Sequence, residues 1–269
     1  MIALAIFDSG PKSDQAVQAA TQYLLKTPAK MTKEVALQTL FLQRIGKPGA
    51  ALQRQNMQWL VDAQIKDGPN AGSWSYRRQG AVESRGDGAN TAYAILALSV
   101  AAPTDADSDN AVPKEVWQRA ERWLLNSQKA DGGWGYVPQI AQTTGAMTAC
   151  GLAGLKALEP RLEKSPQRQA AIKRAQSWLS SRWSTATNPG GGGRGRRAWR
   201  MFYLHWASIA LRDHAKLGDR NWRSEMLEHL LKSQQKNGSF RGSTPASTPA
   251  ISTAFALEIL KQIAAAKPD

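Results

Sequence analysis

The 269-residue sequence has one cysteine, three histidines and no apolar run approaching the ~20 residues a membrane-spanning helix needs. A single thiol, Cys150, excludes an internal disulfide framework and fits a reducing compartment. His205, His214 and His229 fall on separate stretches with no metal-ligand spacing. The opening apolar run, 2–7, is too short for a signal-peptide core and follows no basic residue, so the chain as written reads as cytoplasmic. The alternating pattern of a half-buried strand is absent throughout. Positive charge and tryptophan are in excess: 35 Lys and Arg stand against 21 Asp and Glu, for a formal net charge of +14, and there are ten Trp. Such charge suits nucleic acid, an anionic membrane surface met peripherally, an anionic ligand, or a solvated basic surface. It does not choose a fold.

Two kinds of helix alternate along the chain. One kind is amphipathic, as where Val116, Ala120, Trp123 and Leu124 share a stripe beside Lys114, Glu115, Arg119 and Arg122. The other is apolar nearly all round, as in 91–100 (TAYAILALSV) and 145–158 (GAMTACGLAGLKAL), and must be enclosed on every side. The pattern predicts inner helices over 2–7, 33–46, 91–101, 144–158, 199–217 and 248–264. Outer helices are predicted over 13–26, 50–65, 113–127, 167–182 and 221–234. Ser13, Thr32 and Asn90 stand where N-caps belong, and Gly10, Gly46 and Gly218 where helices should stop. An inner helix cannot stand alone, so the pattern implies one domain, 1–269, of stacked hairpins with a Gly/Arg-rich loop over 184–197. Eleven helices beginning on an inner one leave a six-hairpin ring one outer helix short. The expectation is an outer helix ahead of Met1.

A loop recurs between outer and inner helices. Gln128-Lys-Ala-Asp131-Gly132-Gly133-Trp134 has the form Q-x-x-D-G-x-W, and Gln234-Gln-Lys-Asn237-Gly238-Ser239-Phe240 repeats it. Gln64-Ile-Lys-Asp67-Gly68 begins a third copy, with an insertion before Trp74. Physically this reads as a clasp: Gly at positive φ makes the turn, Gln bonds free carbonyls, and Trp covers the bend. These loops resemble the QW repeats of the squalene–hopene cyclase and protein prenyltransferase β-subunit superfamily. The inner-helix openings Asn90-Thr91-Ala92-Tyr93 and Thr143-Thr144-Gly145-Ala146 are similar to that family too. The likeness runs from about residue 10 to 264 and is nearest to stand-alone bacterial prenyltransferase/squalene-oxidase repeat proteins. It implies an all-α fold, an α/α toroid of five to six helical hairpins in inner and outer rings.

The resemblance also implies chemistry, and the sequence departs from it. Cyclases of this kind protonate an alkene with an acidic D-x-D-D motif ahead of an inner helix. The matching stretch here is Asp87-Gly88-Ala89-Asn90, with Ala89 at the position of the protonating Asp. Neither Ala89 nor Asn90 supplies a strong acid held neutral. The zinc of protein prenyltransferases is held by Asp, Cys and His, with Asp two residues before Cys. Thr148 stands at that position before Cys150, and the last inner helix offers Ser252 and Thr253 but no His. No metal and no cofactor is expected. Asp105, Asp107 and Asp109 read as a solvated acidic loop.

What remains is a mouth where the loops ahead of the inner helices gather and helix N-termini attract anions. Candidate ligand-binding residues there are Trp74, Tyr76, Asp87, Asn90, Tyr93, Trp134, Tyr136, Arg196, Arg197, Arg200 and Tyr203, with Arg77, Arg78, Thr144 and Ser252 beside them. The sequence therefore reads first as a toroid with a central cavity that binds an apolar or anionic small molecule, an isoprenoid among them, or another protein. An enzyme acting on isoprenoids or glycans is the alternative, with Asp87, Asp131 and Tyr203 as its candidate catalytic residues. Nucleic-acid binding, which would rest on Arg interleaved with aromatics over 194–206, is the least favoured. Whether the chain is catalytic, and its oligomeric state, stay open at this point.

Overall fold

Helices apolar around their whole circumference must sit inside, and helices with one charged face must sit at a surface. The computed structural model, which describes residues 1–7, 14–78, 85–103, 111–193, 197, 199–241 and 248–265, places them so. Inner helices α1 (Ile2–Ile6), α3 (Thr32–Ile45), α5 (Gly88–Ala101), α7 (Gly145–Leu158), α9 (Arg200–Leu211) and α11 (Pro249–Ala264) pack each on the next. α11 meets α1, and α1 meets α3, which closes the circle. Outer helices α2 (Asp14–Lys26), α4 (Ala50–Ala63), α6 (Lys114–Ser127), α8 (Pro166–Ser181) and α10 (Trp222–Ser233) lie outside them. Among the described residues the only β pairing is three isolated bridges, at Met31–Arg77, Leu217–Arg220 and Gln234–Phe240.

α7 shows why small residues line an inner helix. A Cβ on Gly151 would stand 2.6 Å from the Trp134 ring, and one on Gly154 would meet Leu124 at 3.1 Å. Glycine here lets the loop tryptophan and the outer helix settle against the α7 backbone.

Three boundaries differ from the sequence reading. α5 starts earlier because Asp87, not Asn90, is its N-cap: its Oδ1 accepts from the amides of Ala89 (3.0 Å) and Asn90 (2.9 Å). Thr32 lies inside α3, behind the N-cap residue Met31, and its hydroxyl donates to Ser75 O. α9 ends at Leu211 rather than 217, and side chains of α10 take the carbonyls of the residues that follow it. Arg223 donates to Arg212 O (2.7 Å) and the Trp222 indole to His214 O (2.8 Å). Gly218 accordingly shapes the turn between Leu217 and Arg220 instead of ending a helix. Gly46 does close α3, at φ 69°. Gly10 and Ser13 lie outside the described residues.

The recurring loop is a clasp between successive hairpins. Gln64 Nε2 donates to Gly72 O (3.1 Å) in its own loop and to Val116 O (2.9 Å) in α6. Arg119 of α6 donates back to Gln64 Oε1 at 2.9 Å. Gln128 repeats the arrangement, to Gly132 O and Ala171 O (both 2.9 Å), with Arg174 Nε of α8 returning a bond at 3.1 Å. The Trp74 and Trp134 amides donate to Thr91 and Thr148 Oγ1 (3.0 and 3.2 Å), and their indoles to Leu60 and Leu124 carbonyls (2.7 and 3.0 Å). The clasp glycine of the first copy is Gly72, two residues before Trp74, rather than Gly68. A Cβ on Gly72 would lie 2.0 Å from Arg119 O, whereas Gly68 faces open space.

Candidate functional site

The first amides of a helix have no intrahelical acceptor, and in an open mouth they would attract an anion. Here protein groups already occupy them. The leading amides of α3, α5 and α7 donate to loop carbonyls of the following repeat: Thr32 to Tyr76 O (2.8 Å), Gly88 to Tyr136 O (2.9 Å) and Gly145 to Pro189 O (2.8 Å). Asp87 takes the next two amides of α5, Asn188 Oδ1 takes Ala146 N (2.8 Å), and Thr144 Oγ1 takes Met147 N (3.3 Å). The expectation that these helix N-termini attract an anion is therefore corrected for α5 and α7.

Above these helix ends opens a pocket of about 430 Å³. Lys33 enters it from α3, Ala89, Asn90 and Tyr93 from α5, Ala146 and Met147 from α7, and Phe202 from α9. Tyr76, Tyr136, Gln142, Thr144, Asn188, Gly191, Gly192 and Trp199 complete the wall. Two larger concavities, of about 590 and 480 Å³, lie between α8 and the 211–218 turn and among α1, α2 and α3. Neither is lined by a buried polar side chain that lacks a hydrogen bond, which the smaller pocket has.

That side chain is Tyr93. It is 1% exposed, and neither its hydroxyl nor the indole N–H of the neighbouring Trp206 has a well-formed hydrogen bond. The two rings meet edge to face at 4.9 Å. Lys33 Nζ stands 5.9 Å from the Tyr93 ring centroid, within cation–π range. Burial lowers the Lys33 pKa, against the pull of Glu34, although the residue as a whole is exposed to solvent. At the rim the Tyr136 hydroxyl donates to that of Tyr76 at 3.1 Å.

The carboxylates of interest are committed elsewhere. Asp87 is 2% exposed and also accepts from Asn90 Nδ2 at 2.7 Å. Burial raises its pKa, and hydrogen bonds from Asn90 and Ala89 offset part of that rise. Asp131 accepts from Gly133 N (3.0 Å), Thr143 Oγ1 (2.8 Å) and the Trp178 indole (2.8 Å). Burial pushes its pKa up, but those bonds and the charge of Arg182 outweigh it and hold it low. Asp131 thus pins the second clasp to α8 as an anion.

Of the candidate residues, Tyr76, Asn90, Tyr93, Tyr136 and Thr144 line the pocket. Trp74 and Trp134 are 0% and 2% exposed and belong to the clasps, away from the lining. Asp87 caps α5 behind the wall. Tyr203 is fully buried against Trp183 at 6.0 Å, and Ser252 is buried in α11. Arg77 pairs with Met31 in a bridge, and Arg78 forms an ion pair with Asp62 at 3.2 Å. Arg197 and Arg200 do not line the pocket. Arg196 and the acidic run of Asp105, Asp107 and Asp109 lie outside the described residues. Sequence reasoning missed Lys33, Gln142, Met147, Asn188 and Trp199. Lys33 sits at the start of an inner helix beside Thr32, and a cation in the first turn of an inner helix was the available signal. Among the described residues no three of His, Cys, Asp and Glu cluster as metal ligands, and no helix is long and apolar enough to cross a membrane.

A closed inner ring of helices inside an outer set, clasped by repeated loops and open at one mouth, defines an α/α toroid. The chain belongs to the prenyltransferase alpha-alpha toroid domain family, whose pattern it matches over 18–199 and 194–267. It is similar in fold to Candida albicans protein geranylgeranyltransferase-I, solved with GGPP, at 18% identity and a TM-score of 0.59, over 89% of this chain and 70% of that one. It is likewise similar to the type II terpene cyclase MstE from Scytonema, at 12% identity and a TM-score of 0.57, over 98% of this chain and 86% of that one. Among curated protein sequences none matches.

Proposed function

We propose that this chain is a ligand-binding toroid whose mouth pocket takes a small molecule with an apolar body and an anionic end, an isoprenoid diphosphate being the class that fits best. The carrying observation is that one pocket brings the Lys33 cation to within 5.9 Å of the ring of the buried Tyr93, whose hydroxyl lacks a well-formed hydrogen bond. Phe202, Trp199, Met147 and the Tyr93 ring offer the apolar wall. The geranylgeranyltransferase neighbour was solved with an isoprenoid diphosphate, which supports the ligand class.

The reading includes no acid or zinc chemistry of the family's known kinds. Ala89 lines the pocket at the position where the resemblance puts the protonating acid, and Asp87 is consumed as a helix cap. An enzymatic reading would have to draw on other groups at this mouth, of which Tyr136 beside Asp87 is the most suggestive. Nucleic-acid binding loses most of its support, since Phe202, Tyr203 and Trp206 are buried and of the aromatics in that stretch only Trp199 is exposed. Native mass spectrometry with lipid extraction of protein purified gently from its own cells tests the proposal. A stoichiometric anionic isoprenoid or lipid, lost in Lys33→Ala, is expected. A clean ligand-free spectrum with a co-purifying protein would favour a partner-binding scaffold instead.

A further inference from the structure

The two ends of the ring differ in charge. The loops that lead into inner helices, at 27–31, 64–87, 128–144, 182–199 and 234–248, gather at the mouth. Among their described residues ten Lys and Arg stand against three carboxylates. One of the three, Asp87, is buried as a helix cap, and another, Asp131, is taken up by Gly133, Thr143 and Trp178. The loops that leave inner helices, at 46–49, 102–113, 159–165 and 212–221, make the far end. Their described residues include six Lys and Arg against four carboxylates, and one of the six, Arg161, is drawn onto the carbonyls of Ala102 and Pro103. The excess of positive charge is therefore a property of the mouth.

Exposed aromatic groups mark the same end. Of the ten Trp only Trp199 is exposed, and it stands on the pocket wall. Phe202 meets it edge to face at 6.0 Å and fills the space beneath, so the indole faces outward. Tyr76 and Tyr136, joined through their hydroxyls, are exposed beside the same opening, as is Ile140 in the loop that follows Tyr136. Tyr and Trp, with an apolar body and a polar tip, favour a boundary between water and hydrocarbon.

We infer that the mouth face docks on a lipid bilayer that carries anionic headgroups. The basic loops meet the headgroups, while Trp199, Tyr76, Tyr136 and Ile140 enter the boundary layer beneath them. The contact is peripheral, since among the described residues no helix is long and apolar enough to cross a membrane. Charge complementarity alone would also suit a nucleic acid. Exposed tryptophan and isoleucine set among the charges, around an opening with an apolar wall, favour a surface that has hydrocarbon under its phosphates. Docked this way, an amphiphile in the bilayer reaches the pocket without crossing water. The docking itself does not rest on which ligand the pocket takes.

Co-sedimentation of the whole protein with vesicles tests it. Vesicles of phosphatidylcholine and phosphatidylglycerol in equal parts should carry the protein down, and phosphatidylcholine alone should not. Binding should fall steeply as salt rises. Neither vesicle contains an isoprenoid, so the result is separate from the filling of the pocket. Lys30→Gln and Arg77→Gln, at the mouth, should each weaken binding about fivefold. Lys164→Gln and Lys216→Gln make the same change of charge at the far end and should alter it little. Trp199→Ala should weaken binding severalfold and remove the quenching of protein fluorescence by lipids brominated on their acyl chains. All five residues are exposed, so the fold should persist, which circular dichroism verifies. No sedimentation at low salt, or equal losses from substitutions at the two ends, overturns the inference. So does indifference to Trp199→Ala, which, with single-stranded DNA displacing the vesicles, would mark the face as a polyanion site instead.

Discussion

The indole N–H of Trp134 donates to the Leu124 carbonyl at 3.0 Å, tying the loop that leaves α6 back onto α6. The same residue fills the hollow above Gly151 and is 2% exposed. Trp134→Phe should cost about 1–2 kcal/mol from one lost hydrogen bond and a modest void, because Phe240 shows that the clasp accepts phenylalanine. Trp134→Ala should cost about 3–5 kcal/mol. Urea denaturation followed by circular dichroism separates the two. Equal, small losses would show that the clasp contributes little to holding the hairpins together.

The glycines of the three clasps give a sharper comparison. All have positive φ, so Ala at any of them carries about 1–2 kcal/mol of backbone strain. Gly72→Ala and Gly132→Ala also drive a methyl into the carbonyls of Arg119 and Arg174, at 2.0 and 2.7 Å, adding a further ~1–3 kcal/mol. Gly238→Ala and Gly68→Ala meet no such wall and should show only the strain. Thermal midpoints of the four variants, measured together, check the order.

Asp87 is expected to act as a cap. Asp87→Ala should lose roughly 1–2 kcal/mol of stability, while Asp87→Asn keeps an acceptor for Ala89 N and Asn90 N and should lose less. Ligand affinity should follow neither change closely, since Asp87 is outside the pocket lining. A large loss of affinity in Asp87→Asn with unchanged stability would place its charge in the binding machinery.

The alternation of wholly apolar and one-sided helices made the two layers legible in the sequence, and the Q-x-x-D-G-x-W loops made their order legible. What escaped was set by distant partners. The early end of α9 depends on Arg223 and Trp222 reaching back from α10, and no local signal near Leu211 announces it. The site was half legible. Tyr76, Tyr93 and Tyr136 stand where loop position placed them, but the indoles of Trp74 and Trp134 turn to the outer helices because a buried N–H needs an acceptor. Arginine density drew attention to 194–200, whereas the cation that lines the pocket is Lys33 of α3.

His205 makes stability depend on pH. Burial first, then the charges of the chain's amino terminus and Lys33, lower its pKa from 6.5 to about 3, so the folded protein holds it neutral. The unfolded chain binds a proton below about pH 6.5 that the folded one refuses, and stability therefore falls as pH drops from there toward 3, by up to ~1.4 kcal/mol per pH unit. The slope should flatten in His205→Asn, measured by urea melts between pH 4 and 7 in steps of about half a unit. An unchanged slope would mean that the imidazole charges freely in the folded state.

The central claim, an anion-headed apolar ligand held at the mouth by Lys33 and Tyr93, is tested most directly by calorimetric titration with geranylgeranyl diphosphate and its uncharged alcohol. The account predicts saturable binding of the diphosphate, at least about tenfold weaker binding of the alcohol, and a similar loss for the diphosphate in Lys33→Ala. Tyr93→Phe should weaken the diphosphate severalfold with the fold intact. Equal affinity for diphosphate and alcohol, or no binding of either at millimolar concentration, would contradict it.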